Sequence, residues 1–387
     1  MDFRDAGLSS KKIKAFCQRL IQTPSLSLEE AAISQVIRDE MANLGYDEIF
    51  VDALHNTVGI IKGKGDGPCI MFNGHIDHAG VGEMVEPFSG KEIDGAPFGH
   101  DGPVIYGRGA SDMKAAIAAM VHAGAAVKAS GRELSGDILV TCVSREEMAR
   151  GEGIRYLLEN GLRADAAVSG EATGLKVYLG HRGKFEARVS VRGRTSHGGC
   201  PQGGINAIFK MSRFLDALQT RYPLPDHPFL GRATVTVLDI CASPGALTPI
   251  VPDRCEVVID RRFLPRENQD ELLDGFRRLF AKIRADDPEF DAEVAPLKWF
   301  PAMATEPDEP VVRAMMAARE KVLGTAGPLG AWYFGVDGTF INEAGIPCVG
   351  LGPGNEYLAH TPKDVVPVSH LIDAARIYAT LMVDFCG

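Results

Sequence analysis

Three apolar stretches of strand character, at 69–72, 138–143 and 166–168, each end within a few residues on side chains that carry chemistry. The first leads to Gly74-His75-Ile76-Asp77, the second to Glu146-Glu147 and the third to Glu171. Ile138-Leu139-Val140-Thr141-Cys142-Val143 is uninterrupted in the way of a strand buried on both faces. Helical stretches alternate with these runs, so the pattern predicts an α/β fold with a largely parallel sheet covered on both faces. Parallel strands bring their carboxyl ends to one edge, where open α/β sheets bind ligands. His75, the paired glutamates and Glu171 are therefore expected to meet, with no lysine nearby to neutralise the carboxylates. Such a cluster is expensive, because unpaired buried charges cost about several kcal/mol each or must take up protons. A divalent cation is the simplest remedy.

Around this frame, residues 9–45 read as two helices separated by Thr23-Pro24-Ser25, the second with a capping box of Ser27 and Glu30 and with Gly45 as its stop. The segment Gly107-Arg108-Gly109-Ala110-Ser111-Asp112-Met113-Lys114 leads into a helix expected from about Met113 to Lys128, with Asp112 at its N-terminal end. After Gly183 the pattern changes. Phe185, Ala187, Val189 and Val191 alternate with polar neighbours, and similar runs follow at 232–238, 255–263 and about 291–299. Two amphipathic helices lie between them, and the order β-α-β-β-α-β describes a small ferredoxin-like α+β sandwich. Buried, parallel-type sequence resumes at Pro347–Leu351, ahead of His360, so this second domain is read as an insertion. The expected division is 1–183 and 302–387 for the split first domain and 184–301 for the insert.

Composition narrows the partners. A chain of 387 residues is long for one core, and its net charge of −10 without a basic run argues against nucleic acid. The N-terminal stretch lacks the apolar centre of a signal peptide and no run approaches the roughly 20 apolar residues of a membrane span, which predicts a cytoplasmic protein without membrane contact. Eight scattered cysteines form no C-x-x-C pair, leaving oxygen and imidazole as the metal ligands.

G-H-I-D, G-R-G-A-S-D-M-K, the E-E pair, S-G-E, T-S-H-G-G-C-P-Q-G-G-I-N-A-I around His197 and the late A-H-T-P occur in an order that resembles the M20 family of dinuclear zinc peptidases and deacylases. The resemblance covers nearly the whole chain. It implies a phosphorylase/hydrolase-like catalytic domain and an inserted lid that also makes a homodimer. It makes His75, Asp112 and Glu171 ligands of one metal and Asp112, Glu147 and His360 ligands of the other. Two zinc ions, with manganese or cobalt able to substitute, would hold a hydroxide between them, since coordination lowers water's pKa from roughly 15.7 to about 7. Glu146 would be the general base, adjacent to Glu147 but pointing the other way by strand alternation. Asp77 would accept the other ring N–H of His75 and fix its tautomer. His197 would stabilise the oxyanion, from the partner subunit in related enzymes, and Arg262, in Ile259-Asp260-Arg261-Arg262, would clamp a substrate carboxylate.

Each residue alone has a plainer reading: a hydrogen-bonded His-x-Asp pair, solvated glutamates at a helix start, a helix cap at Asp112, a loop residue at His197, an ion pair of Arg262 with Asp260 or Asp253. The chain also departs from the family where an asparagine is common, since Leu247-Thr248-Pro249-Ile250-Val251-Pro252-Asp253 contains none. Glu rather than Asp at 171 resembles the deacylase and carboxypeptidase branches, and the expected reaction is hydrolysis of the amide bond of an N-acyl amino acid or small peptide-like substrate, with the free carboxylate that Arg262 would clamp. The open alternatives are a dipeptidase and a catalytically silent relative. Trp332-Tyr333-Phe334-Gly335-Val336-Asp337-Gly338-Thr339 is expected to line the substrate pocket.

Overall fold

The computed structural model describes residues 8–245 and 249–387. Leu247 and Thr248 of the asparagine-free stretch lie outside them, as do the first seven residues of the N-terminal stretch. The chain divides into two compact units: the residues up to His181 together with Met303–Gly387, and the segment Arg182–Ala302.

The first unit is built on a nine-stranded mixed sheet. Its centre runs Ile138–Val143, Ile70–His75, Ala166–Ser169, Cys348–Gly350, neighbouring strands all parallel. All four are buried along their whole length, as continuous apolar sequence requires. Antiparallel strands flank them, Thr57–Ile61 and Glu48–Val51 on one side, Val177–His181 and Met303–Ala304 on the other. Leu329–Trp332 joins Val177–His181 in parallel. The helix Ala115–Ala129, apolar on every side, is buried from Ala115 to Val127 and packs on Val368–Cys386 and the sheet. Gly74 permits that approach, because a Cβ there would stand 2.6 Å from Met113 Cε and 2.8 Å from Ile117 Cδ1.

Two local expectations change. The helix begins at Ala115, not Met113, and Asp112 and Met113 before it have non-helical backbone. Asp112 is thus no helix cap. Nor do Ser27 and Glu30 form a capping box: the helix Ala31–Asn43 has no side-chain cap, the Ser27 hydroxyl donates to Asp77 at 2.6 Å, and Glu30 Oε1 accepts the amides of Leu28 at 2.9 Å and Arg145 at 3.1 Å. Tertiary partners have drawn both side chains away from the helix end.

The second unit is an antiparallel sheet in the order Thr234–Ser243, Arg254–Phe263, Gly183–Arg192, Asp291–Phe300. Phe185, Ala187, Val189 and Val191 share a core with Met211, Phe214 and Phe276 from the helices Ala207–Arg221 and Gln269–Asp286. The opposite face is less open than alternation predicts. Glu186 is covered by Lys184 at 2.6 Å and Lys298 at 3.4 Å, and the Ser190 hydroxyl donates to Glu256 at 2.6 Å. Among the described residues no helix is long and apolar enough to cross a membrane.

Candidate metal centre

Because the central strands are parallel, His75, the turn after Val143 and the segment after Ser169 leave the sheet at the same edge. His75 Nε2 lies 2.8 Å from Asp112 Oδ1 and 3.4 Å from Glu171 Oε1. The other Asp112 oxygen, Oδ2, is 3.0 Å from His360 Nε2, which is also 3.0 Å from Glu147 Oε2. One carboxylate therefore stands between two imidazoles, each with a further glutamate. Ligand atoms of His75, Asp112 and Glu147 lie within 4.8 Å of one another, as do those of His75, Glu146 and Glu171. Either group could hold a cation.

Glu146 and Glu147 belong to a turn, not to a strand, so alternation does not separate them. Asp77 does the positioning, since its Oδ1 accepts the Glu146 amide at 3.1 Å and its Oδ2 the Glu147 amide at 3.2 Å. His75 Nδ1 is 3.0 Å from the Asp77 backbone carbonyl and 3.5 Å from its carboxylate. The closer carbonyl takes the ring N–H and leaves Nε2 facing Asp112. Arg145 and His360 hold left-handed backbone at φ +63° and +60°, a conformation costing about 1–3 kcal/mol for such residues. Glu30 secures the first through its amide.

Asp364, which the sequence reading missed, fixes the Asp112 segment. It is fully buried and accepts the amides of Gly109 and Ser111, each at 2.8 Å, with Arg108 Nη1 at 3.2 Å. Val365–Pro367 pairs with Pro103–Tyr106, the strand leading into that segment. Lys114 is a second omission and corrects the expectation that no lysine is near. It is buried and donates to the Thr23 carbonyl at 2.8 Å. Burial, against the charges of Asp364 and Asp77, brings its amine down to about 7.

The electrostatics match a cation site. Burial opposes charge on His75, yet Glu171, Asp112 and Asp77 hold its imidazole well above the usual range. Hydrogen bonds with Asp112 and then Glu147 push His360 up to about 10. A divalent cation held by the same groups would compete with protons on these rings. Burial raises Glu146 well above the carboxylate range, with Asp337, Glu171 and Glu147 adding to it and His75 opposing. That is the direction a general base at neutral pH needs. Asp337, buried with Oδ2 unpartnered, is pushed up to about 7 by burial first.

Residues 71–384 match the family model described as peptidase family M20/M25/M40. The chain belongs to this family. Its members are metallohydrolases acting on C–N bonds, and the chain is 35% identical to YgeY of Escherichia coli strain K12 over 95% of its length and 92% of that protein. Acetylornithine deacetylase of Myxococcus xanthus is 26% identical, with the same shares covered, 95% and 92%. In fold, the chain is similar to Bacillus subtilis YXEP, titled a dinuclear metal binding peptidase from the M20 family, with a TM-score of 0.73, 22% identity and coverage of 97% and 98%.

The remaining expected residues of this M20 chain lie in the inserted unit. His197 is exposed, its Nδ1 accepting the Gly199 amide at 3.0 Å. The proton is thereby left on Nε2. Arg262 points its Nε and Nη2 at the Asp260 carboxylate, at 2.8 and 3.2 Å. Of its two readings, the ion pair is therefore present.

Proposed function

We propose that the chain hydrolyses the amide bond of an N-acyl amino acid or small peptide-like substrate with two divalent cations, most simply zinc. The carrying observation is Asp112 set between His75 and His360, each with its own glutamate. His75, Asp112 and Glu171 would hold one cation and Asp112, Glu147 and His360 the other, a set of oxygen and imidazole donors that suits zinc, manganese or cobalt. When bound, the pair would lower the pKa of an attacking water and polarise the scissile carbonyl.

Glu146 takes the proton from the water on its raised carboxylate and hands it to the leaving amine nitrogen, so that water is consumed and acid and amine are released. Asp77 holds Glu146 and Glu147 in register by their amides. His197 offers its Nε2–H to the carbonyl oxygen as charge develops there, and Arg262, its fork partly engaged by Asp260, gives its remaining N–H donors to a substrate carboxylate. Zinc-loaded protein is expected to release amine from acylated amino acids, to lose this activity on chelation and to regain it with zinc, manganese or cobalt. A panel of N-acyl amino acids and dipeptides reads this out. Turnover that survives exhaustive chelation refutes the proposal, and preferential cleavage of dipeptides makes the protein a dipeptidase on the same site.

A homodimer through the inserted unit belongs to the same proposal. Thr234–Ser243 is an outer strand with Val237, Leu238 and Ile240 exposed, an open edge that self-pairing would cover. If His197 serves the partner's site, mixing His197→Ala chains with Glu146→Ala chains restores one working site per heterodimer, although each parent is slowed about 10²-fold or more. No recovery on mixing rejects donation across the dimer.

A further inference from the structure

Two tyrosine rings stand open to solvent beside the metal centre. Tyr333 is 50% exposed and Tyr357 69%, and the rings stack with centroids 5.3 Å apart and 15° between planes. They are fixed from behind. The Tyr333 hydroxyl donates to the Glu356 carbonyl at 3.2 Å, and Phe334 packs edge-on against its ring at 5.0 Å. Buried Tyr178 donates to the Glu356 carboxylate at 2.7 Å and packs edge-on with Trp332 at 5.3 Å. With the polar tip of Tyr333 engaged by backbone, its open surface is ring.

The pair is tied to the centre on both sides. Tyr357 lies three residues before His360. Its amide donates to Asn355 Oδ1 at 3.0 Å, and the Asn355 amide donates to the hydroxyl of Ser111, the neighbour of Asp112, also at 3.0 Å. Gly354, at φ +93°, allows that approach, because a Cβ would fall 2.2 Å from Ser111 Oγ. Burial first, then the charges of Glu356, Tyr357 and Asp112, push the Tyr333 phenol up.

Apolar ring surface held in water beside a reaction centre is unfavourable by roughly 25 cal/mol per Å² until something covers it. Rings with few rotatable bonds make good recognition surfaces, since little entropy is lost on contact. We propose that Tyr333 and Tyr357 form a wall of the substrate site that takes a flat, ring-bearing substituent of the amide substrate by stacking. A planar π-system continues the stack in the offset geometry that ring quadrupoles favour, and an aliphatic chain gains only area. The proposal rests on the amide-hydrolase reading and narrows it to aromatic or heteroaromatic amides.

The test uses zinc-loaded full-length protein and three substrates: N-acetyl-L-alanine without a ring, N-acetyl-L-phenylalanine with the ring on the amine side, and N-benzoyl-L-alanine with it on the acyl side. One ring-bearing substrate is expected to exceed N-acetylalanine in kcat/KM. In Tyr333→Ala/Tyr357→Ala that ratio falls by roughly three- to tenfold, through KM and with metal content unaltered. Tyr333→Phe/Tyr357→Phe keeps it. A ratio unchanged in the alanine variant, or a wild-type enzyme without preference for either ring, overturns the wall. A binding comparison separates this from failure of the hydrolase reading. Benzoate should bind the zinc-loaded wild type more tightly than acetate, or L-phenylalanine more tightly than L-alanine, and the alanine variant should lose that difference. Equal binding within both pairs by the wild type overturns the proposal whatever reaction the centre catalyses.

Discussion

Replacing Asp112 by alanine empties both metal positions together and abolishes hydrolysis. The expectation follows from two contacts of one side chain, Oδ1 at 2.8 Å from His75 and Oδ2 at 3.0 Å from His360. Without that carboxylate each imidazole keeps a glutamate, but neither site keeps the anion that balances two adjacent dications. Each site would then be left with two protein ligands, one histidine and one glutamate. Elemental analysis of purified protein measures the result as metal per chain. Removing a buried carboxylate should leave the fold intact, which circular dichroism checks on the same sample. A variant that retains one full equivalent of metal would show that Asp112 serves a single site.

Glu146→Ala separates the base from the ligands. We expect two metals per chain and a kcat lowered by roughly 10²- to 10⁴-fold, the range general-base catalysis supplies. Glu147→Ala should instead lose metal, because Glu147 reaches His360 at 3.0 Å. The contrast is sharp because the two glutamates are adjacent and share one anchor, the Asp77 carboxylate on their amides. The structure also supplies the rival reading, since Glu146 lies in the same 4.8 Å group as His75 and Glu171. If Glu146→Ala loses metal in proportion to its activity, Glu146 is a ligand and another group removes the proton.

What could be read from the sequence divides along the length of the contacts involved. His75, Glu146, Glu147 and Glu171 follow continuous apolar runs, and a parallel sheet brings such run ends together without further information. The four strands of the insert were legible because period-two alternation is local. Ser27 and Glu30 were misread for the complementary reason. Their spacing suits a capping box, but Asp77 lies 50 residues from Ser27 and Arg145 lies 115 from Glu30. Asp364 gave no signal at all, being 253 residues from the Ser111 amide it accepts. Lys114 was visible in the motif, yet nothing local says that an ammonium will be buried against a carbonyl. Tyr333 was placed at the pocket by its segment, and its stacking partner Tyr357 belongs to another.

The strand Cys348–Gly350 lies between Ala166–Ser169 and Val177–His181 in the finished sheet. During synthesis, both neighbours leave the ribosome long before it. A nascent chain that has reached the end of the insert can bury the insert's own core, while the sheet still lacks an interior strand, His360 and Asp364. Its open edges are then the kind that pair with other chains. A chain interrupted before Cys348 would therefore expose a half-sheet suited to aggregation and lacking His360 and Asp364, which makes the stretch from Cys348 to Asp364 the point of commitment for this sheet.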